Sequence, residues 1–153
     1  MKKIVDQSLL FKLDGKKSTS APVPQKLKTM TEPKGELAIR TWAMPADTNP
    51  AGDIFGGWLV SQMDLAGAVT ARKKARGRVA TVAIDSMAFL RPVPVGAVVS
   101  CYTQLQDVGR SSMQILVEVW IREDTGTLSK VTEGHFTFVA IDDTGRTRAV
   151  PRD

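Results

Sequence analysis

The stretch from Gly52 to Gly77, GDIFGGWLVSQMDLAGAVTARKKARG, decides how this chain is read. Between Ile54 and Ala71 the only ionisable side chain is Asp64, while Trp58, Leu59, Val60, Met63, Leu65, Ala66, Ala68 and Val69 cover nearly every direction around a helix. A helix that is apolar all round is a buried helix. Arg72, Lys73, Lys74 and Arg76 crowd its last turn, where cations meet the negative end of the macrodipole, and Gly77 offers a left-handed stop. The pattern predicts a buried helix over about 57–76.

Asp64 gives that helix a chemical question. An ionised carboxylate in an apolar setting is costly unless it is paired, hydrogen-bonded or protonated. Two readings follow: a satisfied structural Asp, or a catalytic carboxylate held in a site that needs one.

Outward from the helix, Leu37 to Met44 reads as a strand closed by Pro45, and Ala46 to Gly52 as a loop built on Asp47, Asn49, Pro50 and Gly52. After Gly77 the period changes from helical to two. Val79 to Leu90, Val98 to Asp107, Ser112 to Glu123 and Lys130 to Ile141 each read as strands. In the third, Met113, Ile115, Val117, Val119 and Ile121 share one face, with Ser112, Gln114, Glu118 and Arg122 on the other. Val108-Gly-Arg110 and Glu123-Asp-Thr-Gly-Thr127 are short enough for hairpin turns. One central helix with about five strands joined by tight turns implies an α+β domain whose curved antiparallel sheet must cover that helix.

Composition sets the remaining bounds. At 153 residues and 42% hydrophobic the chain has one domain's length and enough apolar mass for a core. The formal charge of +5 lies in the first 35 residues, where eight lysines face Asp6, Asp14 and Glu32; the 13 basic and 13 acidic residues beyond them cancel. A neutral body argues against a nucleic-acid footprint. Residues 1–35 read as a flexible N-terminal extension, of which the part before Met30 is a leader or an overextended start, and 36–153 as the single domain. No run has the length and apolarity of a membrane span. Cys101 stands alone in a strand-like run and reads as a small buried hydrophobe, which together with the absence of a signal-peptide pattern points to the cytoplasm. His135 is the only histidine, so neither a His-dependent triad nor a multi-His metal site is expected.

Several long motifs now occur in order: Arg40-Thr-Trp-Ala-Met-Pro-Ala-Asp-Thr-Asn49, Gly52-Asp-Ile-Phe-Gly-Gly-Trp-Leu-Val-Ser-Gln-Met-Asp64, Met87-Ala-Phe-Leu-Arg-Pro-Val93, Val108-Gly-Arg-Ser-Ser112 and Phe136-Thr-Phe-Val-Ala-Ile-Asp142. Over about Leu37 to Pro151 the chain resembles the hotdog-fold acyl-CoA thioesterases, and among them the bacterial YciA-like acyl-CoA hydrolases. The resemblance implies a helix wrapped by a curved antiparallel sheet, subunits paired edge to edge, a trimer of such dimers, and active sites at the dimer interface. It implies hydrolysis of short-to-medium acyl-CoA, with CoA as product and no cofactor or metal. Within the resemblance Asp64 matches the catalytic acid, Asp53 a polar position before the helix, and Gly56-Gly57 the helix entry whose N–H holds the thioester carbonyl. Asn49 would orient water or substrate. Arg91, and Gly109 with Arg110, Ser111 and Ser112, stand in the segments that would hold the nucleotide of CoA.

Geometry adds a constraint of its own. Asp53 and Asp64 are eleven residues apart, so a rise of 1.5 Å per residue separates them by roughly 12–16 Å within one chain. A two-fold axis setting two such helices antiparallel would bring one chain's Asp53 to the other's Asp64. Each residue also has a plain structural reading: an Asx-turn for Asn49, an N-cap for Asp53, close packing for Gly56-Gly57, an ion pair for Arg91 and hairpin chemistry for Gly109-Arg110. The rival function is a non-catalytic acyl-CoA sensor of the same fold.

Overall fold

The computed structural model describes residues 32–153; most of the N-terminal extension, residues 1–31, lies outside the described residues. Strand β1 covers Glu36–Trp42 and is followed by a 3₁₀ turn at Pro45–Asp47. Helix α1 spans Gly56–Ala75. Strands β2 (Val79–Ile84), β3 (Val98–Val108), β4 (Ser112–Arg122) and β5 (Leu128–Ala140) complete an antiparallel sheet of order β1-β3-β4-β5-β2. The helix packs on one face of that sheet, and β4 runs down its centre.

The helix begins and ends within a residue of its predicted bounds, but for a different reason at its C-terminus. Arg76, not Gly77, takes the left-handed conformation, at φ 52°. The Arg76 guanidinium pairs with Asp153 at 2.9 Å, beside the Lys74–Asp153 pair at 3.1 Å. Gly77 is small for another purpose: a Cβ there would meet Arg148 Nη2 at 2.6 Å, and that guanidinium caps the Ala75 carbonyl at 2.9 Å.

Leu59, Met63, Ala66, Gly67, Ala71 and Ala75 form the buried stripe of the helix. Gly67 allows the closest approach, since a Cβ there would lie 2.7 Å from the Phe138 ring and 3.6 Å from Val117. The rest of the helix is only partly covered within the single chain. Leu65 and Val69 are 54% and 50% exposed, so one chain buries only half of the apolar circumference. The edge strand β2 shares this state, with Val82 at 57% and Ile84 at 43%. The residue types that read as burial all round are therefore met on one side by this chain's own sheet and, among the described residues, left open on the other at Leu65 and Val69.

Two strand readings also need correction. The run from Val79 to Leu90 is strand only to Ile84; beyond it the chain is held to β5 by Asp85 N–H to the His135 carbonyl (3.0 Å) and Leu90 N–H to the Val131 carbonyl (2.7 Å). Met87 packs in this segment over Gly134, its Cε lying 2.8 Å from where a Cβ on Gly134 would sit. In β4 the face predicted to be polar is open only toward its ends, with Ser112 and Gln114 half-buried and Arg122 exposed, while Leu116, Glu118 and Trp120 at its middle are buried along with Met113, Ile115, Val117 and Val119. Cys101 is buried as expected, and burial pushes its thiol up to about 12, which removes it as a nucleophile. Among the described residues no helix is long and apolar enough to cross a membrane.

Candidate active site

Asp64 sits on the third turn of α1, half-buried, at the side of the helix that faces β2. Its Oδ1 accepts a hydrogen bond from Thr81 Oγ1 at 2.7 Å. Thr81 lies at a register shift between Thr81 and Ala83, a bulge of the kind that re-aims a side chain beside a functional group. This residue had no signal in the sequence, since a threonine in a strand is ordinary. The contact leaves Oδ2 as the oxygen able to act on something else.

The helix N-terminus is built without a side-chain cap. Phe55 is the N-cap residue, and neither Asp53 nor any other side chain satisfies the first N–H groups. The N-cap reading of Asp53 is therefore replaced by something less ordinary: Asp53 Oδ1 is buried with no hydrogen-bond partner. An unpartnered buried acceptor is costly and needs a donor from elsewhere. Asn49 does form an Asx-turn, its Oδ1 accepting from Ala51 N–H (3.0 Å) and Asp53 N–H (3.1 Å). That turn fixes the loop which presents Asp53. Gly57 is packed as well as poised, because a Cβ on it would press on the Phe55 ring at 2.9 Å, whereas one on Gly56 would meet Phe89 only at 4.0 Å.

One chain does not bring these groups together. Seven helical residues separate Gly57 from Asp64, about 10 Å along the axis at 1.5 Å per residue, and Asp53 lies further back. Asp64 does not line the cleft beside Arg91 and Arg122 or the one beside Thr70 and Lys73.

The nucleotide-binding candidates are divided in the same way. Arg91 pairs with Glu123 at 3.2 Å on the surface, which is the plain ion-pair reading, and it lines a cleft of about 900 Å³ with Arg40 and Arg122. Arg110 stands at the other end of β4 in a hairpin closed by Gly109 N–H to the Ser112 carbonyl at 2.8 Å. The Ser111 and Arg110 carbonyls accept from Ala140 N–H (2.8 Å) and Val150 N–H (2.7 Å), which fixes the turn by its acceptors. Among the described residues the Arg110 guanidinium has no ion pair. The 11 residues of β4 between the two arginines correspond to roughly 33 Å. Arg91 and Arg110 of one chain thus cannot form a single phosphate grip.

Residues 51–127 match the family described as the thioesterase superfamily. The chain belongs to that superfamily. The acyl-CoA thioester hydrolase YciA of Escherichia coli strain K12 is 51% identical over 127 residues, covering 80% of this chain and 96% of its own. A hexameric broad-specificity acyl-coenzyme A thioesterase superposes with a TM-score of 0.77 at 53% identity, covering 80% of this chain and 85% of that one. A hexameric hotdog-fold thioesterase of Campylobacter jejuni superposes at 0.71 with 40% identity, over 76% and 91% of the two chains. The thioesterase superfamily membership and these neighbours bear out the α+β hotdog fold expected from the central helix, and they are named as hydrolases rather than sensors.

Proposed function

We infer that this protein is an acyl-CoA thioester hydrolase whose active site is assembled from two subunits. The observation that carries this is the half-finished state of the site in one chain. A carboxylate oriented by Thr81, an uncapped helix N-terminus and a buried acceptor on Asp53 occur in a chain whose described residues leave Leu65, Val69, Val82 and Ile84 bare. A second copy related by a two-fold axis along the β2 edge would cover Leu65, Val69, Val82 and Ile84 and bring Asp53 and Gly57 of one chain to Asp64 of the other. The hexameric relatives support a trimer of such dimers.

In that arrangement the thioester carbonyl points at the N–H groups of Gly56 and Gly57, where the positive end of the helix stabilises the oxyanion. Asp64 takes a proton from water as its oxygen bonds to the carbonyl carbon, or attacks that carbon itself to give an anhydride that water opens. In both routes the C–S bond breaks, the carboxylic acid leaves, and CoA departs as a thiolate that is then protonated. Among the described residues no three His, Cys, Asp or Glu side chains gather as metal ligands. Short-to-medium acyl-CoA is the substrate class, Asp53 and Asn49 hold water or substrate, and a lone buried thiol fits a reducing cytoplasm. Release of free thiol from acyl-CoA by the purified protein, in the presence and absence of a chelator, tests the activity; no release above background contradicts it.

Thr81→Val is expected to lower kcat with little change in KM. A hydrogen bond to a charged group contributes about 1.5–3 kcal/mol, so the loss should be about 10- to 100-fold. Thr81→Ser should restore most of it. Equal rates for wild type and Thr81→Val would remove Thr81 from the mechanism.

Arg110→Ala should raise KM for acyl-CoA about tenfold, within the range of one charge-assisted contact, and leave kcat nearly unchanged because phosphates remote from the thioester bind substrate and transition state alike. The increase should shrink for a pantetheine thioester that lacks the nucleotide. Arg91→Ala must first be corrected for its exposed pair with Glu123, which contributes at most about 1 kcal/mol to stability. If neither substitution moves KM, the nucleotide is held elsewhere.

A further inference from the structure

Two aromatic rings stand at the entry of α1, and the steps of hydrolysis do not account for either. Phe55, the N-cap residue, is 55% exposed, yet its ring is laid against the first helical turn: a Cβ on Gly57 would meet its Cε1 at 2.9 Å and its Cζ at 3.1 Å. A Cβ on Gly56 would face Phe89 Cζ at 4.0 Å, and Phe89 is half-buried against the core. An exposed apolar ring is ordinary by itself. One that takes up the side-chain space of an oxyanion donor is not. Trp58 N–H and Leu59 N–H both turn to the Phe55 carbonyl, at 3.0 and 3.4 Å, and no side chain caps the turn, so among the described residues the N–H groups of Gly56 and Gly57 stay open beside the rings.

A thioester whose carbonyl accepts from Gly56 and Gly57 must send one of its two arms along the Phe55 ring. The pantetheine arm carries two amides, whose N–H and C=O groups need hydrogen-bond partners once they leave water. Phenyl side chains offer no such partner. The alkyl arm of the acyl group has no polar atom, and each methylene that it lays on an apolar surface strengthens binding by up to about fourfold. The ring therefore suits the acyl arm and not the pantetheine arm.

We propose that Phe55 is the acyl-side wall of the active site, the surface on which the first methylenes of the acyl chain lie, and that it sets the response of this enzyme to chain length. This rests on the acyl-CoA hydrolase reading above. Gly57 then has two tasks in one residue: its N–H serves the carbonyl, and its missing Cβ lets the ring stand beside that carbonyl. Phe89 backs the same entry from the Gly56 side.

Phe55→Ala is compared with wild type on acetyl-, propionyl-, butyryl- and hexanoyl-CoA. The ratio of kcat/KM, wild type over variant, should be smallest for acetyl-CoA, grow about two- to fourfold with each of the first added methylenes, and level off beyond them. Phe55→Leu, which keeps part of the apolar surface, should show the same trend with a smaller slope, and it decides the matter where the alanine variant fails to fold. S-alkyl-CoA thioethers, which have no carbonyl to attack, carry the test into binding: by calorimetry their Kd should tighten with alkyl length in wild type and lose most of that dependence in Phe55→Ala. The binding arm separates the two claims, since a length-dependent affinity that needs Phe55 upholds the acyl wall even where no thiol is released from acyl-CoA. A ratio that is the same for every chain length in the folded variants overturns the proposal, because Phe55 then acts on the helix entry as a whole. So does a Phe55→Ala protein that drops to a smaller mass in light scattering, because the ring is then a subunit contact.

Discussion

Asp64→Asn is expected to fold and to lose about two to four orders of magnitude in kcat, the range associated with removing a positioned acid–base group. The substitution keeps shape and keeps an Oδ1 acceptor for Thr81, so the 2.7 Å contact to β2 can persist. What disappears is the oxygen that takes a proton or forms the anhydride. Because the side chain is only half-buried, little stability rests on its charge in the single chain. Thiol release from acyl-CoA gives kcat, and a thermal melt on the same sample shows that the fold is intact. Near-wild-type turnover would remove Asp64 from the chemistry and with it the reason this helix carries a lone acid.

The second large effect is expected from the edge of the sheet. Strand β2, VATVAI, ends the strand order with no charged residue along it, and Val82 is its most exposed large side chain. Soluble proteins guard such an edge with charge or cover it with a partner. Val82→Lys places a cation in the joint from both copies at once. The variant should run at the mass of a single chain in light scattering and lose about 10²–10³ in turnover, the cost of taking the oxyanion donors away from the acid. A single-chain species with full activity would contradict the two-subunit site.

Much of this architecture was legible before the fold was known, and the gaps have specific physical causes. The helix was found to within a residue because an uninterrupted apolar body ending in Arg72, Lys73 and Lys74 has few other readings. What covers it was not legible, since residue type reports that a face needs cover and not which chain supplies it; Leu65 and Val69 stand exposed in the single chain. The overlong reading of β2 arose because period two continues past Ile84, where the strand ends and Met87 packs over Gly134. Glu118 read as solvated because alternation cannot reveal that an outer face is buried. Of the site, Asp64 was legible as the lone acid of an apolar helix, and its partner Thr81 was not. Arg91 and Arg110 were readable as candidates, but their separation by the length of β4 is a property of topology. Asp53 and Asn49 remain assignments by proposal, with the unpartnered Asp53 Oδ1 and the Asn49 turn as their support.

The claim that two chains share one active site is tested most directly by complementation. Asp53→Ala and Asp64→Ala proteins, each nearly inactive alone, are mixed, dissociated in mild denaturant and reassembled, and thiol release from acyl-CoA is measured. In randomly paired dimers half are mixed, and each mixed dimer holds one site with both aspartates intact. Activity should therefore return to about a quarter of the wild-type rate per chain. Reassembled mixed oligomers with no activity above the two parents would show that Asp53 and Asp64 do not meet across the interface, and the account of this site would be wrong.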